Sequence, residues 1–329
     1  MTAPVNVRYL TGFESTNAAV LVATDGTVRL FTDFRYAERA RQLEDVDVVE
    51  TPRYLYTDLP QHLSGPVAFE ADALTYANYE FLREGGVELV PRRGVVETLR
   101  AVKEPEELEA IRRAADVTDA TYDRLAAEQI AGKTEQELVW RMEVLFHECG
   151  ADGLAFDVDI AAGPTAASPH AVPGDRVVRE GEFVLVDAGA TVDGYCSDCT
   201  RTFAVGEVSD LLRELYDVVL RAQQAGVEVV RPGAGGREVD AAARAVIAEA
   251  GYGESFGHGL GHGLGLLVHE APVLRPESED VLVPGNVVTV EPGIYLSGVA
   301  GVRIEDLVVV TLEGVEVVSR FPRELTAVR

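Results

Sequence analysis

The sequence predicts an α+β protein: a small α/β domain over residues 1–102, then a larger domain over 103–329 that mixes helices with antiparallel strands. Three observations carry that prediction. The first hundred residues alternate short apolar runs with helical stretches. Two well-signalled helix starts follow, at Pro105 and Thr134. Beyond Gly150 the pattern becomes apolar strands separated by glycine turns, interrupted by two more helices.

In the first domain, Ala19 to Thr24 and Thr27 to Thr32 flank Asp25-Gly26, a two-residue hairpin signal. Tyr36 to Leu43 has helical spacing, and a second strand–helix unit runs from Pro66 to Arg83. Val87 to Val102 reads as a connection. The next domain opens with Lys103-Glu104-Pro105-Glu106-Glu107. Proline suits a first helical turn, where its missing N–H is not needed, and acids there face the positive end of the helix dipole. Leu108, Ile111, Ala115 and Val117 continue with roughly helical spacing. Thr134, with Glu137 three residues on, forms a capping box for a helix ending at Cys149. Further helices are expected near Ser209 to Val230 and Gly236 to Ala250.

The net charge is −26, and Lys103 and Lys133 are the only lysines. Such a surface repels nucleic acid and anionic membranes, so neither is an expected partner. Three cysteines, Cys149, Cys196 and Cys199, suit a reducing compartment better than a disulfide framework. No stretch approaches the ~18 apolar residues of a membrane span, and the first residues lack the basic and apolar regions of a signal peptide. The expected location is the cytoplasm.

The chemistry concentrates in the second domain. Phe183 to Ala190 and Tyr195 to Val205 read as strands joined by a turn at Asp193-Gly194. That turn sets Asp187 opposite Thr200 and makes Asp198 its diagonal neighbour, about 7–8 Å away at Cα. Two carboxylates so placed converge on a pair of metal ions, although two strand acids facing solvent would fit the same pattern. The segment Gly257 to Gly265 holds His258 and His262 among five glycines. This density opposes the helix that an i, i+4 histidine pair would need, and suggests backbone packed close to a ligand or another strand. One histidine here reads as a metal ligand. Glu291 ends the strand Val287 to Val290, and Glu305 lies within Val302 to Val310; a turn near Gly298 sets the two opposite. An acid in so apolar a strand is costly unless paired or metal-bound. Arg303 shares the face of Glu305 and could hold a bridging carboxylate. Asp187, Asp198, His262, Glu291 and Glu305 together make the ligand set of a dinuclear metallohydrolase. Cys196 and Cys199 form a C-x-x-C, but there is no second pair, and a regular strand puts them on opposite faces.

With these residues assembled, the chain resembles the proline-specific branch of the pita-bread metallopeptidases: Xaa-Pro aminopeptidase (aminopeptidase P) and Xaa-Pro dipeptidase (prolidase). Methionine aminopeptidase is a more distant relative. The resemblance runs nearly the whole length. It starts at the segments Asn6 to Phe13 and Thr32 to Tyr36, passes through Gly163-Pro164 and Ser168-Pro169-His170, and ends with the five ligand motifs. It implies a pita-bread (creatinase/aminopeptidase) catalytic domain behind a small creatinase-like domain that begins unusually close to Met1, either as a short form or with its first residues missing from this sequence. It further implies that Asp187 and Asp198 hold one divalent ion and His262, Glu291 and Glu305 the other, with Asp198 and Glu305 bridging. Homodimers are common in the family.

The implied reaction is hydrolysis of the Xaa-Pro bond in short peptides with proline second. Glu291 is the expected proton shuttle, with His269 and His258 supporting the tetrahedral intermediate. His170, His258, His269 and Arg303 are the expected substrate contacts. A mostly oxygen ligand set with one histidine favours Mn²⁺, with Co²⁺ as a substitute. Aminopeptidase is the primary expectation and dipeptidase the alternative, because Val273 stands where many relatives carry a carboxylate-binding arginine; Arg275, two positions on, could replace it. A non-catalytic binding module on the same fold is the remote alternative.

Overall fold

The computed structural model describes residues 1–329, which divide into two compact units, Met1–Arg100 and Ala101–Arg329. The class is α+β, as the sequence predicts. No helix is long and apolar enough to cross a membrane.

The first unit runs α1 (Pro4–Thr11), β1 (Ala18–Val22), β2 (Val28–Asp33), α2 (Phe34–Ala40), β3 (Asp47–Thr51), β4 (Pro66–Glu70), α3 (Tyr76–Glu84), β5 (Glu88–Arg92) and α4 (Val95–Arg100). The hairpin at Asp25-Gly26 pairs β1 with β2; β3 then joins β2 in parallel, and β4 and β5 pair in parallel. Val87 to Val102, expected as a connection, instead holds β5 and α4. Asn6 is fully buried and bonds Glu70 at 2.7 Å, Glu97 at 2.6 Å and Arg100 at 2.8 Å.

The second unit opens with α5 (Pro105–Ala126) and α6 (Glu135–Cys149). Both helices start where their caps predict: Glu107 accepts from the Glu104 N–H at 2.9 Å, and Thr134 accepts from the Glu137 N–H at 3.1 Å. Then come β6 (Gly153–Leu154), β7 (Asp159–Ala162), β8 (Phe183–Ala188), β9 (Ala190–Val192), β10 (Tyr195–Cys196) and β11 (Cys199–Val205). The helices α7 (Asp210–Val229) and α8 (Gly236–Glu249) follow. The rest is β12 (Gly261–Gly263), β13 (Glu270–Leu274), β14 (Val287–Val290), β15 (Gly293–Leu296), β16 (Ala300–Arg303), β17 (Asp306–Val310), β18 (Val315–Val317) and β19 (Ala327–Val328).

Two sheets dominate this unit, in the orders β19-β11-β8-β7 and β13-β12-β14-β17-β18. Helices α5 and α6 pack on the first through Tyr122, Leu125, Met142, Leu145 and Phe146; helices α7 and α8 pack around the second. The period-two alternation of strands decides what faces inward. In β8, Val184, Val186 and Ala188 meet α5 and α6, which turns Asp187 to the opposite face. In β14, Val288 and Val290 join the α7–α8 core, which turns Thr289 the other way. Each fully buried aliphatic side chain contributes about 1.5–3 kcal/mol, and this apolar packing offsets the polar groups the fold also buries.

Candidate metal centre

Both hairpins hold the register their turns dictate, and both leave the ladder at the same kind of place. Thr200 pairs with Asp187, and Tyr195 with Val192 beside the turn, but the pairing lapses around Ser197 and Asp198. Val290 pairs with Asp306, and Gly293 with Arg303, but it lapses around Glu291 and Glu305. Glu305 therefore sits at a break between β16 and β17 rather than inside one continuous strand. At each break a carboxylate is freed from the pleat and turned inward.

All five expected ligands line one cavity of about 660 Å³. Ligand atoms of Asp198, His262 and Glu305 lie within 4.8 Å of one another. His262 Nε2 is 3.6 Å from Asp198 Oδ2 and 3.3 Å from Glu291 Oε1. The other ring nitrogen, Nδ1, lies 3.0 Å from the Gly263 carbonyl, so it carries the proton and Nε2 faces the carboxylates. The glycines explain how this strand reaches the site. A Cβ at Gly261 would run into the Thr289 carbonyl, so only glycine lets β12 lie this close to β14. Thr289 then accepts from the His262 N–H at 3.1 Å and donates to Glu291 at 3.1 Å.

The donor set fits divalent ions. Asp187 Oδ1, Asp198 Oδ1 and Glu305 Oε1 are buried and have no hydrogen-bond partner. A buried, unpaired carboxylate oxygen is costly, and a metal ion is the partner this arrangement suits.

Electrostatics agree. Burial, then the mutual repulsion of the cluster, pushes Asp198 and Glu305 well above the usual carboxylate range. Burial also raises Asp187, against the opposing pull of Arg303. Burial disfavours charge on both His262 and Glu291, but their hydrogen bond outweighs it, raising His262 to about 9 and lowering Glu291 to about 2. Burial and the neighbouring Asp187 bring Asp159 to about 7.

These shifts fix a sign. An acid raised in the folded state costs stability as pH climbs from its ordinary value through its folded value. A histidine raised by a partner contributes stability below about 6.5 that is lost as pH rises through about 9. Glu291 acts only at the acid end, losing its contribution as pH falls toward 2. Chelated protein is therefore expected to melt lower at pH 8.5 than at pH 6. Mn²⁺ is expected to erase that slope and to release protons on binding at pH 7. Calorimetry in buffers of different ionisation enthalpy reads the protons, and a flat or rising melting profile for chelated protein contradicts the assignment.

Other expected site residues divide. His170 and His269 line the cavity and are exposed; the His269 ring centroid is 4.2 Å from that of His262. His258, expected on substrate, is occupied by protein: Nδ1 lies 2.7 Å from the Gly259 carbonyl and Nε2 3.0 Å from the Tyr295 hydroxyl. Burial holds His258 below the usual histidine value, and partial desolvation at the cavity wall, then the neighbouring His262, does the same for His269, so they act as neutral rings. Arg303 does not reach the carboxylate of Glu305. It donates to Asp187 at 2.6 Å, Thr200 at 2.9 Å and Tyr295 at 2.9 Å, so it fixes Asp187, and Thr200 donates to Glu305 at 2.7 Å. Thr289 and Tyr295 are site residues that the sequence pattern does not single out, and Thr200, expected only as the ladder partner of Asp187, also holds Glu305 and Arg303. Cys196 and Cys199 fall in different core clusters.

Comparison with known proteins gives one consistent result. The profile of metallopeptidase family M24 matches residues 109–312, and that of the creatinase/prolidase N-terminal domain matches residues 1–102. A solved Xaa-Pro dipeptidase from Bacillus anthracis is 41% identical with a TM-score of 0.95, over 98% of this chain and 92% of that one. The X-Pro aminopeptidase from Thermotoga maritima MSB8 is 34% identical with a TM-score of 0.92, over 99% and 94%. The prolidase from Pyrococcus furiosus is 35% identical with a TM-score of 0.92, over 97% and 95%.

Proposed function

The chain belongs to metallopeptidase family M24, with a pita-bread catalytic domain and a creatinase/prolidase N-terminal domain, and on that premise we propose that it is a divalent-metal Xaa-Pro dipeptidase. The dipeptidase alternative thus displaces the aminopeptidase expected first. The likeness to dipeptidases and prolidases supports this, and one observation carries it. Arg275 lines the cavity, is exposed, and its guanidinium makes no hydrogen bond or ion pair. A dipeptide ends in a proline carboxylate, and an uncommitted guanidinium in the cavity wall is the group that clamps it.

Asp187, Asp198, His262, Glu291 and Glu305 would hold the ions, for which Mn²⁺ is the first choice and Co²⁺ a substitute. Two such ions activate water at neutral pH and polarise the scissile carbonyl. The chain's residues do the rest. Arg303 holds one oxygen of Asp187 and leaves the other open. Glu291, ionised, accepts a proton and returns it to the imide nitrogen of proline, which has none of its own and must gain one to leave. His269 and His170, exposed in the cavity, donate to the substrate. His258 positions Tyr295 and, through it, Arg303.

Hydrolysis of Ala-Pro beside Ala-Pro-Ala by Mn²⁺-loaded protein tests the reading. Ala-Pro is expected to be the better substrate, and Arg275→Met is expected to raise its KM about tenfold or more. Cleavage of the tripeptide alone would return the reading to aminopeptidase. If neither is cut with any divalent ion, the peptidase assignment of this site fails.

A further inference from the structure

We propose that Asp159 makes the site selective for dipeptides whose first residue carries a cationic side chain, lysine or arginine. The inference rests on the Xaa-Pro dipeptidase reading and names the substrate class within it. Asp159 opens β7 directly across the ladder from Asp187, so the two share a face. Residues so opposed have Cβ atoms about 4.5–5.5 Å apart. Asp159 lines the cavity, yet its carboxylate makes no hydrogen bond or ion pair, and its Oδ1 is shut off from solvent. Asp157, exposed, lines the same wall.

Accounting for the cavity's charges points to a ligand. Glu270 pairs with Lys103 at 3.5 Å, and Arg303 is committed to Asp187. Asp187, Asp198, Glu291 and Glu305 belong to the metal centre and are directly partnered there. Asp157, Asp159 and Arg275 remain, two acids and one cation. A dipeptide with a neutral first residue brings one ammonium and one carboxylate, which leaves one of the two acids without a direct partner. A dipeptide beginning with lysine or arginine brings a second cation and matches all three. Asp159, the more enclosed acid, gains most from that partner, because a charge held away from water is strongly favoured by a charged donor.

The test compares Lys-Pro with norleucine-Pro, which has a similar shape without the charge, and with Ala-Pro. Each is assayed on Mn²⁺-loaded wild type, Asp159→Asn and Asp159→Glu. Wild type is expected to favour Lys-Pro over norleucine-Pro by about tenfold in kcat/KM, mainly through KM. In Asp159→Asn that ratio is expected to fall to about one, while Ala-Pro and norleucine-Pro change by less than about threefold. Asp159→Glu keeps the charge and is expected to keep a preference for Lys-Pro. Equal losses on all three dipeptides in Asp159→Asn would assign Asp159 to the common α-ammonium or to the scaffold and overturn the inference. Wild-type cleavage of Ala-Pro without any preference for Lys-Pro would overturn it alone. Failure to cut any of the three would overturn the dipeptidase reading beneath it.

Discussion

Asp198→Asn abolishes hydrolysis, by about 10³-fold or more in kcat/KM, and at the same time raises the melting temperature of the metal-free protein at pH 8.5. The two effects have one cause. Asp198 is buried beside Asp187, Glu291 and Glu305, and its Oδ1 has no partner. Without ions, ionising it in that setting opposes folding. Asparagine keeps the shape and removes the charge, so the fold is relieved of a desolvated, repelled carboxylate, a gain of about 1–3 kcal/mol. With ions present, the same change removes a ligand. Melting scans with chelator and with Mn²⁺, beside assays of Ala-Pro, check both halves. A variant that is both inactive and less stable when metal-free would mean that Asp198 is a structural acid, and one that keeps its activity would mean that it is not a ligand.

Arg201→Ala is expected to cost about 3–5 kcal/mol of stability, the range for orphaning one partner of a buried ion pair. Arg201 is 1% exposed, and its guanidinium uses all five of its N–H groups. They reach Asp306 at 2.8 Å, the carbonyls of Phe321 at 2.7 Å, Pro322 at 3.0 Å and Thr200 at 3.0 Å, and the carbonyl of Glu305. The substitution leaves Asp306 buried with only Gln223 and Arg323 beside it, and it frees the backbone of Glu305. Denaturant unfolding should show the loss, and Arg201→Ala with Asp306→Ala should cost less than the two changes summed. A loss under about 1 kcal/mol would show that the network contributes little.

Much of the centre was legible in the sequence because turns fix register. Asp193-Gly194 determined that Asp187 faces Thr200, and a turn near Gly298 set Glu291 opposite Glu305. The capping residues likewise placed the starts of α5 and α6 before any packing is considered. What stayed hidden depends on tertiary contact. Arg303 shares a face with Glu305 along its own chain, yet its partner is Asp187, because the face of β8 meets that of β16 only after folding. His258 lines the cavity but also bonds the Tyr295 hydroxyl, a contact that no local pattern singles out. In the first unit, α1 was missed because Val5, Val7 and Tyr9 weigh toward a strand, while Pro4 at the first turn and bonds from Glu70 favour the helix. The strand β5, half exposed and containing Pro91, gives little alternation to read. The balance between dipeptidase and aminopeptidase turns on Arg275, just past β13, whose lack of a partner is a property of the folded chain alone.

The donors proposed for the ions come from two hairpins far apart in the chain. Asp187 and Asp198 lie in the first and Glu291 and Glu305 in the second, with His262 between them in sequence. A ribosome has therefore delivered only two carboxylates when the first hairpin emerges, and both sit in a half-built sheet that water still reaches. The three remaining donors arrive after α7 and α8 have been made. Metal capture is thus a late event in the life of a nascent chain, and a polypeptide arrested before Glu305 should bind Mn²⁺ no better than an ordinary acidic surface.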